Sequence, residues 1–294
     1  MTSIAIGVVG DLHTHWDDVD VAQFDGSNYD LLFFTGDLGG GTRDSSLRMA
    51  RVMSRLSKPA LVMPGNNDTG DIAELAAELS YRSGINWLAA ARRALPTNAG
   101  GGADASINLC GYSAHRLTRG AVDVTLIAAR PHSMGGSQLS FPDQMMSGYG
   151  IDSIDASTAR LFELVDQLET EQVVFLAHNG PSGLGDAADA MWGCDFRPGG
   201  GDWGDEDLSA AIEYAVSQGR RVLAVVAGHM HLRTKAGHER PWRVERAGIL
   251  YINAARVPRI FAAKGDVHRH HVALRITAAG VEAEEVLVPE SGQR

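Results

Sequence analysis

The chain has 294 residues, with 26 Lys and Arg against 36 Asp and Glu, a formal net charge of -10. Apolar residues make up 44% and charged residues 21%, the balance of a folded globular chain, and so acidic a chain offers no uncompensated basic surface to a nucleic-acid backbone. Two cysteines, Cys110 and Cys194, cannot build a disulfide framework, no apolar run nears the roughly 20 residues that span a bilayer, and the amino end lacks a basic leader, so the expected compartment is the cytoplasm with no membrane partner.

In chain order, the stretches 4–10, 31–34 and 60–63 are short apolar runs leading into Gly10-Asp11, Gly36-Asp37 and Gly65-Asn66. Such runs fit strands covered on both faces. Ile72, Leu75, Ala76 and Leu79 keep helical spacing, with Asp71 and Glu74 as a capping pair at its start. The first third therefore reads β, β, α, β, α, the alternation of an α/β sheet. A glycine-rich break covers 99–103, and strands are expected over 106–111 and 122–129. Leu161, Leu164, Val165 and Leu168 predict a helix over 156–168, followed by a buried strand over 173–177. Residues 179–204 lack periodicity, and loops this long inside a domain are usually functional or disordered. A helix over 205–219 and strands over 222–227, 249–253, 270–276 and 281–288 complete the chain. With no repeat and no shift in composition, residues 1–294 read as one domain.

Chemistry collects where the apolar runs end. Asp11 and His13 follow the first, Asp37 the second, and Asn66, Asn67 and Asp68 the third. His178 follows the run over 173–177, and His229 and His231 follow that over 222–227. One Gly-Asp alone is an ordinary turn, and one His alone is an ordinary polar strand end. Five strand ends carrying such residues together point to a single site at the carboxyl edge of a sheet. Carboxylates, an amide and imidazoles without thiolate suit Mn²⁺, Fe or Zn²⁺, with Mn²⁺ the leading candidate. Seven donors exceed the needs of one tetrahedral ion and suit two divalent ions sharing a carboxylate.

The order Gly10-Asp11-Leu12-His13, Gly36-Asp37, Gly65-Asn66-Asn67-Asp68, His178, Gly228-His229-Met230-His231 resembles the calcineurin-like metallophosphoesterases. The resemblance runs from residue 10 to residue 231 and implies a four-layer α/β/β/α sandwich of two mixed sheets flanked by helices. It implies Asp11, His13 and His231 on a first metal, Asn66, His178 and His229 on a second, and Asp37 bridging them. It further implies hydrolysis of a phosphoester by a hydroxide held between the metals. The chain departs from the pattern at Asn67, where the family carries a His that protonates the leaving oxygen. An amide can donate a hydrogen bond to phosphate but cannot act as a general acid.

Asn67 and Asp68 are accordingly the candidate catalytic residues of this motif, and His15 or His132 could supply the missing acid. Arg130, His132 and Asn179 are the candidate substrate contacts, Arg130 because a guanidinium can fork onto phosphate. The loop 179–204 adds Trp192, Arg197 and Trp203, suited either to stacking on a ring or to pinning the loop. The expected function is a metal-dependent phosphodiesterase or phosphatase. The rivals are a non-catalytic metal-binding scaffold of the same fold, as in a membrane-trafficking complex, and a nuclease, which the acidic charge disfavours.

Overall fold

The computed structural model describes residues 2–68, 71–80, 107–263 and 265–290. Strands β1 (Ile4–Val9), β2 (Leu31–Phe34), β3 (Ala60–Val62) and β4 (Ile107–Leu109) lie side by side and parallel. A second sheet is built on β5 (Ser113–Arg119), β6 (Val122–Ala128), β7 (Gln172–Asn179) and β8 (Arg221–Gly228), in which β6, β7 and β8 run parallel. Its far side is closed by β10 (Ile249–Asn253), parallel to β8, and then β9 (Arg243–Arg246), antiparallel to β10. The chain then returns to the first sheet. β12 (Asp266–Ile276) pairs antiparallel with β1, flanked by β11 (Ile260–Ala263) and β13 (Val281–Pro289).

Period-two alternation builds the layers. On β1 and β2, Ile4, Ile6, Val8, Leu31 and Phe33 face inward to meet Val124, Leu126, Val174, Leu176 and Val226 of the second sheet. Leu32 and Phe34 face outward and are covered by Phe24 of α1 (Asp18–Asp25) and Met49, Ala50 and Met53 of α2 (Arg43–Met53). Leu75, Ala76 and Leu79 of α3 (Ile72–Leu79) join that layer. On the other side, Val173, Phe175 and Val225 are covered by Leu161, Leu164 and Val165 of α5 (Ile154–Asp166), which follows the short α4 (Pro142–Tyr149). Leu208, Ala211, Ile212 and Ala215 of α6 (Glu206–Ser217) complete the cover. Helices, sheet, sheet and helices are the four layers expected. Leu126 between the sheets is fully buried, and such a side chain contributes roughly 1.5–3 kcal/mol.

The structure adds elements that periodicity did not signal: α1, α4, β5, β9 and β11. α1 reads Asp-Val-Asp-Val-Ala-Gln-Phe-Asp, with no apolar stripe, and is set by a capping box between Asp17 and Asp20. The expected pair Asp71 and Glu74 forms only half a box. Asp71 accepts from the Glu74 amide at 3.0 Å, but the Glu74 carboxylate pairs with Arg43. The expected strand over 106–111 is seen as β4, with Ser106 outside the described residues, and the break at 99–103 lies wholly outside them. The strand expected over 270–276 starts earlier, at Asp266, because β11 pairs with its first half.

Because β1, β2 and β3 are parallel, and β6, β7 and β8 likewise, the carboxyl ends within each sheet share an edge. The two edges meet where His178, near the carboxyl end of β7, approaches Asp37 after β2.

Candidate metal centre

Asp11 is fully buried, and its carboxylate accepts from Thr35 Oγ1 at 2.7 Å and from the His229 amide at 3.0 and 3.2 Å. One residue of the first sheet thus ties itself to the loop that leaves the second. His13 and His231 bring their Nε2 atoms to 3.1 Å, and the His231 Nε2 lies 3.9 Å from Asp11 Oδ2. His13 Nε2 is also 3.5 Å from Asp37 Oδ2. The other oxygen, Asp37 Oδ1, is 3.6 Å from His178 Nε2, which in turn is 2.9 Å from Asn66 Oδ1. Asp37 therefore stands between two donor groups with one oxygen toward each.

Asp11, His13 and His231 form one group of donor atoms, and Asp37, His178 and His229 the other, each with its atoms within 4.8 Å of one another. The donors fit divalent cations. Two imidazole nitrogens turned toward each other call for a shared cation or proton. His178 is oriented as a ligand, because its Nδ1 donates to the Thr35 carbonyl at 2.7 Å and leaves the Nε2 lone pair facing the site. Three of these donor residues, His13 (φ 42), Asp37 (φ 48) and His229 (φ 66), hold left-handed backbone. Such conformations cost about 1–3 kcal/mol each and persist only where the surroundings enforce them.

Burial and mutual charge set the protonation of the group. Burial works to raise the Asp37 carboxyl, but His178, His229, the Asn67 amide and His13 hold it below the usual carboxylate range. Burial works to lower His178, and the carboxylates of Asp37 and Asp11 outweigh it, so that ring is raised. His229 is pushed down to about 4 by burial and by His178 beside it. Asp68 is pushed up to about 7 by burial and by the neighbouring charge of Asp37.

The remaining expected residues divide sharply. Asn67 spends its amide on Asp37, with the backbone N–H on Oδ1 at 2.8 Å and Nδ2 on Oδ2 at 2.7 Å. Asp68 clamps two loops, accepting from Leu38 N at 2.8 Å and Gly65 N at 2.7 Å. His132 lies beside the site, its Nδ1 3.0 Å from the Gly65 carbonyl and its Nε2 buried without a hydrogen-bond partner among the described residues. Burial pushes it down to about 4. His15 lies on the β1 loop, with its carbonyl held by Arg259.

Arg130 and Asn179 are not brought to the metal edge. Arg130 is buried and forks onto Asp207 at 2.8 and 3.2 Å while also pairing with Asp205 at 2.9 Å, so its guanidinium is committed to carboxylates and not to phosphate. Asn179 follows His178 in β7, so alternation turns its side chain to the opposite face, where Nδ2 donates to Trp203 O and Asp205 Oδ1. Trp192 of the long loop is also internal, its indole N–H on the Gly228 carbonyl at 3.2 Å.

Two residues of the site escaped sequence reasoning. Thr35 holds both Asp11 and His178, and its one signal was a hydroxyl between the apolar β2 and Gly36-Asp37. Arg240 is buried, donates from Nε to the His231 carbonyl at 3.1 Å and from Nη1 to the carbonyls of Ala188 and Ala190 at 2.6 Å, and pairs with Asp195 at 3.2 Å. In sequence it was one arginine among many.

Solved structures that align with a TM-score of 0.50 or above support the same fold. One crystal structure aligns with a TM-score of 0.55 at 11% identity, covering 97% of this chain and 99% of that chain. The protein TT1561 of Thermus thermophilus aligns with a TM-score of 0.50 at 11% identity, covering 96% and 99%. A metallophosphoesterase from Sphaerobacter thermophilus aligns at 11% identity over 99% and 91%, with a TM-score of only 0.33. No curated protein sequence matches the chain significantly. A profile of the calcineurin-like phosphoesterases matches residues 4–233, a span that holds both donor groups from Asp11 to His231. The chain belongs to the calcineurin-like phosphoesterase family.

Proposed function

We propose that this chain is a binuclear metal-dependent phosphoester hydrolase that favours esters with good leaving groups, diesters first. The observation that carries the reading is Asp37, set between two donor groups with one carboxylate oxygen toward each. Asp11, His13 and His231 would hold one ion, and Asn66, His178 and His229 the other, with Mn²⁺ the first choice and Fe or Zn²⁺ the alternatives. When bound, such a pair lowers the pKa of a coordinated water and neutralises charge on the phosphoryl oxygens.

The chain's own residues do the positioning. Thr35 and the His229 amide fix Asp11, and Asn67 fixes Asp37 through two hydrogen bonds. Asp68 ties the β2 loop to the β3 loop, and Asp37 and Asn66 both approach His178 Nε2. Asn67 cannot hand a proton to the leaving oxygen. The leaving group must therefore depart without help, which selects for phenolic or similarly acidic ones. The two buried, unpaired cysteines support a reducing compartment.

The deciding experiment crosses Mn²⁺, Fe²⁺, Co²⁺, Ni²⁺ and Zn²⁺ with aryl monoesters, aryl diesters and cyclic nucleotides on purified protein. The expected result is two metals per chain and turnover of aryl diesters that falls steeply as the leaving-group pKa rises, with loss on chelation. Asn67→His should speed poor leaving groups by roughly 100-fold, the usual size of general-acid help. A flat leaving-group dependence sinks the missing-acid reading. The scaffold reading draws support from Asn67, whose amide is committed to Asp37. Two bound metals with no turnover of any ester would decide for it.

A further inference from the structure

Beside the metal loops the chain carries a cluster that the proposed hydrolysis does not use. Phe196 and Trp203 of the long loop meet edge to face at 5.3 Å. Arg197 lies 4.6 Å over the Trp203 ring, and Lys235 lies 5.7 Å over the Phe196 ring. The cluster bridges the two chain segments that leave the site. Trp203 Nε1 donates to the Met134 carbonyl at 2.7 Å, two residues after His132. The Lys235 amide, four residues after the ligand His231, donates to Asp195 Oδ2 at 2.7 Å.

The Trp203 ring is taken up by Arg197 and by the Gly136 backbone, where an added Cβ would touch the ring at 3.4 Å. Phe196 is 45% exposed. The cations are also unspent. Most described arginines bound to a side chain are paired with carboxylates, as Arg130, Arg240, Arg256, Arg259 and Arg269 are. The side chains of Arg197 and Lys235 make no ion pair among the described residues, in a chain of net charge -10. Exposed cations beside an exposed aromatic ring, on segments that run from His132 and His231, match a ligand that is both flat and anionic.

We propose that Phe196, Arg197 and Lys235 form a second subsite, in which Phe196 stacks on a nucleobase-like ring and the two cations hold a second phosphate of a nucleotide-type substrate. This rests on the phosphoester reading above, and it names the substrate class for that site. Trp203 is the platform that orients Arg197 and braces Phe196.

The test measures binding to the Mn²⁺-loaded protein by titration calorimetry with three probes: methyl phosphate, thymidine 5′-monophosphate and thymidine 3′,5′-bisphosphate. The ring should tighten binding over methyl phosphate by about tenfold, the scale of one base–aromatic stack, and the second phosphate should tighten it again. Phe196→Ala should erase the first gain, and Phe196→Tyr should keep it. The double variant Arg197→Ala, Lys235→Ala should erase the second gain. Equal affinity for the three probes, or gains that survive these substitutions, overturns the subsite. Turnover of aryl diesters is scored separately. Turnover without the binding gains removes the subsite and leaves the hydrolase, while the binding gains without turnover leave the subsite and remove the hydrolase.

Discussion

Single atoms decide whether this site can form. Gly65 is pressed so close that a Cβ there would stand 2.2 Å from Asp37 Oδ1 and 2.7 Å from His178 Cε1. Gly228 is the mirror case, with a Cβ 2.2 Å from Asp11 Oδ1. The clash is with the donors themselves, and Thr35, Asn67 and the backbone hold those donors in place. Gly65→Ala is therefore expected to displace Asp37 and lower the metal content below two per chain, with an overpacking cost of about 1–3 kcal/mol. Gly40→Ala serves as the contrast, because its Cβ would meet only Thr14 Cγ2 at 3.9 Å. Elemental analysis of the parent and the two variants checks this. Full metal content in Gly65→Ala would count against a site this tight.

At the scale of elements, the loop 179–204 is held by a few fixed points and not by regular structure. Trp192 plugs the body, and Asp205 and Asp207 anchor the start of α6 to Arg130. Arg240 reaches across from the far side and gathers Ala188, Ala190, Asp195 and the His231 carbonyl. Arg240→Ala would remove the ion pair to Asp195 and the donor to three carbonyls, a loss on the scale of roughly 3 kcal/mol for a broken buried pair. Limited proteolysis should then cut within 179–204 far faster than in the parent chain, and the second expected sign is weaker binding of the ion assigned to His231. A loop as resistant as the parent's would show that Arg240 is dispensable. The same logic explains α1, whose sequence has no stripe. Asp20 on that helix is held by Arg259 and Arg269 from the β11–β12 region, so the helix depends on residues some 240 positions away, as the separations of 239 and 249 show.

The whole molecule carries its own acid sensitivity. His271 on β12 is buried between α1 and the sheet, with its Nε2 2.8 Å from the Tyr29 hydroxyl and its ring against Phe24. Burial, with Arg259 and His270 nearby, pushes it down to about 3 from its ordinary 6.5. The folded chain keeps this ring neutral while the unfolded chain takes up a proton. Stability from this group is therefore full at neutral pH and lost as pH falls from 6.5 toward 3. The expected loss is about 2 kcal/mol between pH 7 and pH 5. His271→Gln can still accept from Tyr29 and does not titrate, so its urea midpoint should fall less over that range. Parallel profiles for the two proteins would remove His271 as the cause.

Much of this protein is legible in its sequence alone. Apolar runs at β1, β2, β3, β7 and β8 are local signals, and a residue placed just past a strand is fixed by the chain within one or two bonds. That is why Asp11, His13, Asp37, Asn66, His178, His229 and His231 can be read in a row, and why the structure brings them together. What the sequence could not decide was the partner of each side chain. Arg130 and Asn179 sit as close in sequence to the strand ends as those donor residues do, yet one is consumed by Asp207 and the other turned away by strand alternation. Asn67 reads in the sequence as an amide free to reach for phosphate and is found holding Asp37. Those outcomes depend on contacts between residues far apart in the chain, where burial forces every charge and every amide to find a partner, and only the packed sheets determine which partner is within reach.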